Sequence, residues 1–218
     1  MNQFQTFCKD LETYENNLDY VISKYFVVPK SFYFNQKESK EDTELIFRSR
    51  VAEAFEVHIS NVIISGSAMT GFSLNPKKNL RLFDSHFSIT NARRDKSDID
   101  IAIISDGLFT YLSDKIYDFT NSYKTNWTSN LYNPNFNKNL KYNLLLFLAR
   151  GWFRPDFCPD GFLERALKGY ALKEILQNEE NRKVSFAFYK SWFFYESVHR
   201  DNLKKNIIPL VKQTKALT

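Results

Sequence analysis

Apolar residues recur at spacings of three and four from the first residues onward. Phe4, Phe7, Leu11, Tyr14, Leu18, Val21, Ile22 and Tyr25 share one helical face, with Asp10, Glu12, Glu15 and Asp19 between them. This spacing predicts an amphipathic helix over residues 3–26. Pro29 and its polar neighbours predict a loop over 27–38. A second helix is expected from about Glu41 to Val57, with Ser39 as its cap, Glu41, Asp42 and Glu44 in the first turn, and Ile46, Val51, Ala54 and Phe55 as the buried stripe. The period then shortens. Val62-Ile63-Ile64 and Ile99 to Ile104 are β-branched runs, each bounded by turn-forming residues, and read as strands. Residues 108–150 read as helix with a break at Asn133-Pro134-Asn135, resuming as an apolar helix from Leu140 to Arg150. Gly151 to Pro159 reads as a loop, Phe162 to Gln177 as helix, Val184 to Phe188 as a strand and residues 192–213 as a final helix. The pattern predicts a single α+β domain over residues 1–218, with a small mixed β-sheet, several flanking helices and a helical C-terminal half.

Composition narrows the class. Gly and Pro number only 6 each, against 21 Phe, 12 Tyr and 3 Trp, so the chain is neither disordered nor collagen-like. The longest apolar run, Leu144 to Ala149, is far short of the ~18–20 residues that span a bilayer. Residues 1–25 carry four acids and no stretch suited to a secretory signal. Cys8 and Cys158 are read as two free thiols. Together these features predict a cytoplasmic protein that does not engage a membrane.

The charge is uneven. Thirty Lys and Arg against 25 Asp and Glu leave a formal net charge of +5. Six basic residues, Lys77, Lys78, Arg81, Arg93, Arg94 and Lys96, fall within residues 75–97, a segment without a clear period that reads as a basic loop or insertion. On one side of it stand Gly66 and Ser67, where the first strand ends. On the other stand Asp98 and Asp100, at the start of the second. Period two puts both carboxylates on one strand face, about 6–7 Å apart along the backbone, while Ile99, Ile101 and Ile103 enter the core on the other. Paired carboxylates call for a counter-cation, and hard oxygen ligands select Mg²⁺ (or Mn²⁺). Glycine lets a phosphate approach the backbone, and the serine hydroxyl can hold a phosphate oxygen.

This arrangement resembles the polymerase-β-like nucleotidyltransferase superfamily, whose signature is Gly-Ser, a spacer, then Asp-x-Asp. The likeness rests on Gly66, Ser67, Asp98 and Asp100 and covers about residues 40–105. It implies a small mixed sheet of nucleotidyltransferase type, Asp98 and Asp100 as catalytic metal ligands, and Gly66 and Ser67 on the triphosphate of an NTP donor. From the basic insertion, Lys77 and Arg94 are added as candidate nucleotide contacts. The acceptor would be a hydroxyl on RNA, protein or a nucleotide. The Gly-Ser-Ala-Met-Thr-Gly-Phe-Ser and Ser-Asp-Ile-Asp-Ile-Ala segments are also similar to small bacterial nucleotidyltransferase-like proteins of toxin–antitoxin and anti-phage systems, which implies a protein partner from the same operon. Two features depart from the family pattern. The spacer between Ser67 and Asp98 is longer than usual, and the later strand, Val184 to Phe188, lacks the family's third acid; Glu179, Glu180 and Glu196 lie nearby in sequence. A catalytically degenerate module that binds a nucleotide or a protein partner is therefore a second expectation.

Other candidates are weaker. Arg154, in Trp152-Phe153-Arg154-Pro155-Asp156, is read as the partner of Asp156 rather than of a substrate, with Trp152 and Phe153 filling the core. Gly71 reads equally well as a helix-ending glycine or a phosphate contact. The aromatic residues between Phe186 and Tyr195 read as core rather than as a base-stacking surface.

Overall fold

Isoleucine alternation sets the centre of the sheet. The computed structural model describes residues 3–37, 42–92, 96–127, 140–167 and 182–216. Its four strands are β1 (Val62–Ser65), β2 (Ile99–Ile104), β3 (Trp152–Phe153) and β4 (Val184–Tyr189), in the spatial order β1-β2-β4-β3. β1 runs antiparallel to β2, β2 parallel to β4, and β3 antiparallel to β4. The protein is thus a mixed α+β fold with a small sheet flanked by helices, as the hydrophobic pattern predicts.

Each sheet face carries its own core. Ile99, Ile101 and Ile103 project to one face and pack with Val62, Ile64 and Phe188 against helices that include α4 (Thr43–Ala54) and α7 (Asp106–Phe119). Ala102 and Ile104 project to the other face and join Ile63 and Tyr189. That face is covered by α1 (Gln3–Thr13), α2 (Leu18–Ile22), α10 (Trp192–Asn202) and α11 (Ile208–Ala216). Asp100 shares the face of Ala102 and Ile104 by the period-two rule. Apolar cover on this face continues from Ala102 onward, and Asp100 stands half-buried at its margin.

Four local expectations need correction. The helix expected over 3–26 is two helices. α1 ends at Thr13, and the side chain of Asn17 accepts from the backbone N–H of Tyr20 at 3.4 Å to open α2, whose last turn widens into a π-turn over Ser23–Val27. Asparagine offers the backbone a local partner that competes with helix continuation. Leu18, Val21 and Ile22 stay buried across the break, so apolar spacing does not reveal it. The residues read as loop over 27–38 contain a short helix, α3 (Phe32–Asn35). In α4 the cap is Asp42, which accepts from Leu45 N–H at 3.2 Å, while Ser39 lies outside the described residues. Its buried face is Phe47, Val51 and Ala52 followed by Phe55, and Ile46 is exposed. Within the expected loop 151–159, Trp152 and Phe153 form the edge strand β3, with Phe153 fully buried. A two-residue strand exists only through its partner, so local sequence carries no signal for it.

The helix expected to end near Gln177 is described as α9 (Phe162–Ala166), and the break at Asn133-Pro134-Asn135 lies outside the described residues. α8 (Leu140–Ala149) is present as expected. Two further short helices, α5 (Gly66–Thr70) and α6 (Ser85–Thr90), lie on the path from β1 to β2. Cys8 and Cys158 are not joined in a disulfide. Among the described residues no helix is long and apolar enough to cross a membrane.

Candidate functional site

The antiparallel pairing of β1 and β2 brings the two motifs together. Ser65 lies directly opposite Asp100, so Gly66 and Ser67 leave the sheet beside the carboxylate. Gly66 has φ +60°, in the left-handed region, and a Cβ built on it would collide with Asp100 Oδ2. Only a residue without a side chain fits between this strand end and the carboxylate. Gly71 has a different role. It ends α5 at φ +81°, donating its N–H to Ser67 O at 2.9 Å, with the Phe32 ring packed against it. That makes it a helix-terminating glycine.

A small cleft of about 90 Å³ opens here, lined by Ser67, Ser73, Lys78, Arg81, Leu82, Lys96, Ser97, Asp98 and Asp100. Leu82 alone among these is apolar. The structure brings four of the candidate residues together: Gly66 borders Asp100, and Ser67, Asp98 and Asp100 line the cleft. Lys77 does not line it; Lys78 does. Both sit on the 3₁₀ turn Pro76–Lys78, where neighbouring side chains diverge by about a third of a turn. Arg94 lies outside the described residues.

One buried cation ties the middle of the basic segment to its C-terminal end. Arg182, only 8% exposed, donates from Nη1 to Asp84 Oδ1 at 2.9 Å and from Nη2 to Asp84 Oδ2 at 2.6 Å. Nη1 also reaches Ser97 O at 3.1 Å. Ser97 N–H donates to Asp84 Oδ1 at 2.8 Å, and Asp84 N–H donates to Ser97 Oγ at 2.9 Å. The guanidinium lies 5.2 Å from the ring centres of both Tyr33 and Phe83. Asp84 precedes α6 and Ser97 precedes Asp98, so this cluster joins the two ends of a chain excursion beside the cleft. Burial works against the Asp84 charge, but the Arg182 and Ser97 hydrogen bonds outweigh it and hold the carboxyl below its ordinary value.

β4 and the residue before it supply further neighbours of the two acids. The parallel register of β4 puts Ser185 beside Asp100, and Ser185 Oγ donates to Asp100 Oδ1 at 2.5 Å. Lys183, two residues earlier, holds Nζ 3.9 Å from Asp98 Oδ2. Burial first, and then the charge of Asp98, push the Asp100 carboxyl above its ordinary value, although Ser185, Lys78 and Lys183 act in the opposite sense. Two carboxylates beside serine hydroxyls form a hard-oxygen donor set of the kind Mg²⁺ takes, and a cation would relieve the strain on Asp100. Among the described residues no group of three or more His, Cys, Asp or Glu is placed to hold a metal. Glu196 pairs with Arg200 at 4.0 Å and does not line the cleft, while Glu179 and Glu180 lie outside the described residues.

Sequence reasoning missed Lys183 and Ser185. The signal available was their spacing of two, the same as that of Asp98 and Asp100, but it has meaning only once β4 is known to pair in register with β2. Arg154 behaves as expected. It forms a two-point pair with Asp156 at 3.0 and 2.6 Å and lies over the rings of Phe147, Trp152 and Phe157.

No protein-family model, no curated protein and no solved structure matches this chain.

Proposed function

We propose that the protein is an Mg²⁺-dependent nucleotidyltransferase that moves a nucleoside monophosphate from an NTP to a hydroxyl acceptor. One observation carries this reading: Asp100 stands against Gly66 across the β1–β2 pair, so that Ser67, Asp98 and Asp100 face one cationic cleft. Asp98 and Asp100 would hold the metal, which when bound lowers the pKa of an attacking hydroxyl and neutralises phosphate charge. Ser67 donates to the triphosphate, and Lys78, Arg81 and Lys96 offset its charge. The acceptor oxygen forms a bond to the α-phosphorus, the bond from that phosphorus to the bridging oxygen of pyrophosphate breaks, and the hydroxyl proton is released. The acceptor is a hydroxyl of RNA, protein or a nucleotide, and a partner protein from the same operon fits a defence or toxin–antitoxin setting in the cytoplasm.

The second reading is a degenerate module that binds a nucleotide or a protein without turnover. It is favoured by Ser185, a residue without charge at the strand position beside Asp100. One experiment separates the two. The protein is incubated with each labelled NTP, Mg²⁺ and cell extract, beside the Asp98→Ala/Asp100→Ala variant. Catalysis predicts pyrophosphate release by wild type and none by the variant. Release that survives the double substitution removes these acids from the reaction, and no release with any NTP leaves the binding module.

A further inference from the structure

We infer that the cleft takes one divalent cation rather than two, and that Ser185 on β4 and Lys183 just before it set that number. The inference rests on the nucleotide-binding reading above. A metal pair sits about 3.5–4 Å apart and needs oxygen donors on both sides of the shared carboxylate. At Asp100 the flank toward β4 is taken by the Ser185 hydroxyl, which donates its proton to Oδ1, while Oδ2 faces Gly66. At Asp98 the flank toward β4 is taken by an ammonium group, Lys183 Nζ, 3.9 Å from Oδ2. A second divalent ion would meet a proton donor at one acid and a positive charge at the other.

Charge points the same way. Lys78, Arg81 and Lys96 line the cleft with Asp98 and Asp100, and Lys183 stands at its rim. Among the described residues, these four cations exceed the two carboxylates by two charges. One divalent ion raises the surplus to about the charge of a fully ionised triphosphate, so a single metal with an NTP leaves the site near neutral. The side-chain cations thus fill the place that a second metal would take in neutralising phosphate. Ser185 is a positioning residue, acting through Asp100 alone.

Mn²⁺ binding tests this without turnover. The protein is dialysed against Mn²⁺ with each α,β-methylene nucleoside triphosphate in turn, and bound Mn²⁺ is counted and its electron paramagnetic resonance spectrum recorded. One Mn²⁺ per chain at saturation, with the six-line spectrum of an isolated ion, is expected. The Ser185→Asp/Lys183→Ala variant adds a carboxylate and removes the ammonium, and is expected to take a second Mn²⁺ with a spin-coupled spectrum. Lys183 is exposed, so Lys183→Ala alone serves if the double variant does not fold, and its Mn²⁺ affinity is expected to rise about two- to fivefold. Two coupled ions in the wild type overturn the inference and leave nucleotide binding standing. A folded double variant that still takes one ion, or a Lys183→Ala variant with unchanged affinity, overturns the roles given to Ser185 and Lys183. Binding of neither Mn²⁺ nor any analogue overturns the nucleotide reading and this inference with it.

Discussion

Asp100 and Gly66 exclude each other's side-chain space: the carboxylate occupies the position into which any Cβ at residue 66 would project. Gly66→Ala therefore meets two obstacles, a left-handed backbone that costs about 1–2 kcal/mol for a residue with a Cβ, and contact with Asp100. Removing the carboxylate removes only the second. Chemical denaturation of Gly66→Ala, Asp100→Ala and the double variant is expected to show the pair costing less than the sum of the singles, by about 1 kcal/mol. Strict additivity would mean that the two positions do not meet.

Arg182 and Asp84 form the buried fastening of the basic segment. Removing the cation with Arg182→Met leaves the Asp84 carboxylate and the Ser97 carbonyl without their shared donor, at an expected cost of about 3 kcal/mol in unfolding free energy. Because the carboxyl of Asp84 is held below its ordinary value, its contribution is full above the unfolded-state value and is lost as pH falls through the lower folded-state value. A stability profile from pH 5 to 2 should therefore fall more steeply for wild type than for Asp84→Asn.

His199 gives a second pH signature, nearer neutrality. Its ring stacks on Phe26 with centroids 4.6 Å apart, and Nε2 is sealed from water with no hydrogen-bond partner among the described residues. Burial lowers its pKa to about 4. As pH drops below about 6.5 the unfolded chain takes a proton that the folded one refuses, so stability declines until the folded form also titrates near 4. The decline is expected to reach about 3 kcal/mol. His199→Phe keeps the stacking and should flatten the profile across this window in thermal melts; an unchanged slope would assign the titration elsewhere.

Lys78 and Lys77 are neighbours with different expected effects. Lys78→Ala, Arg81→Ala and Lys96→Ala each remove a charge from the cleft lining, and each should weaken tripolyphosphate binding several-fold in calorimetry at low salt. The loss should shrink as salt is raised and screening shortens the reach of the charges. Lys77→Ala, outside the lining, should change binding little. Equal losses at 77 and 78 would contradict the placement of the 3₁₀ turn.

Much of the candidate site was legible before the fold was known, because its parts are short-range patterns. Asp98 and Asp100 alternate with isoleucines that must be buried, so their common face follows from period two alone. Gly66 marks a strand end by the same local logic. The choice of Lys78 over Lys77 was not legible, since one residue on a tight turn decides which side chain enters the cleft.

The sequence by itself determined the α+β class, the Ile99–Ile104 strand, the shared face of the two acids and the cationic character of the segment between the motifs. Hydrophobic period and local turn chemistry act over a few residues and can be read there. Only the tertiary structure decided that Asp100 closes on Gly66, that Arg182 joins Asp84 to Ser97, and that Lys183 and Ser185 flank the acids. Each of these depends on strand register or on residues about 13 to 98 positions apart. Burial of the whole sheet selects that register, and no local stretch of sequence contains it.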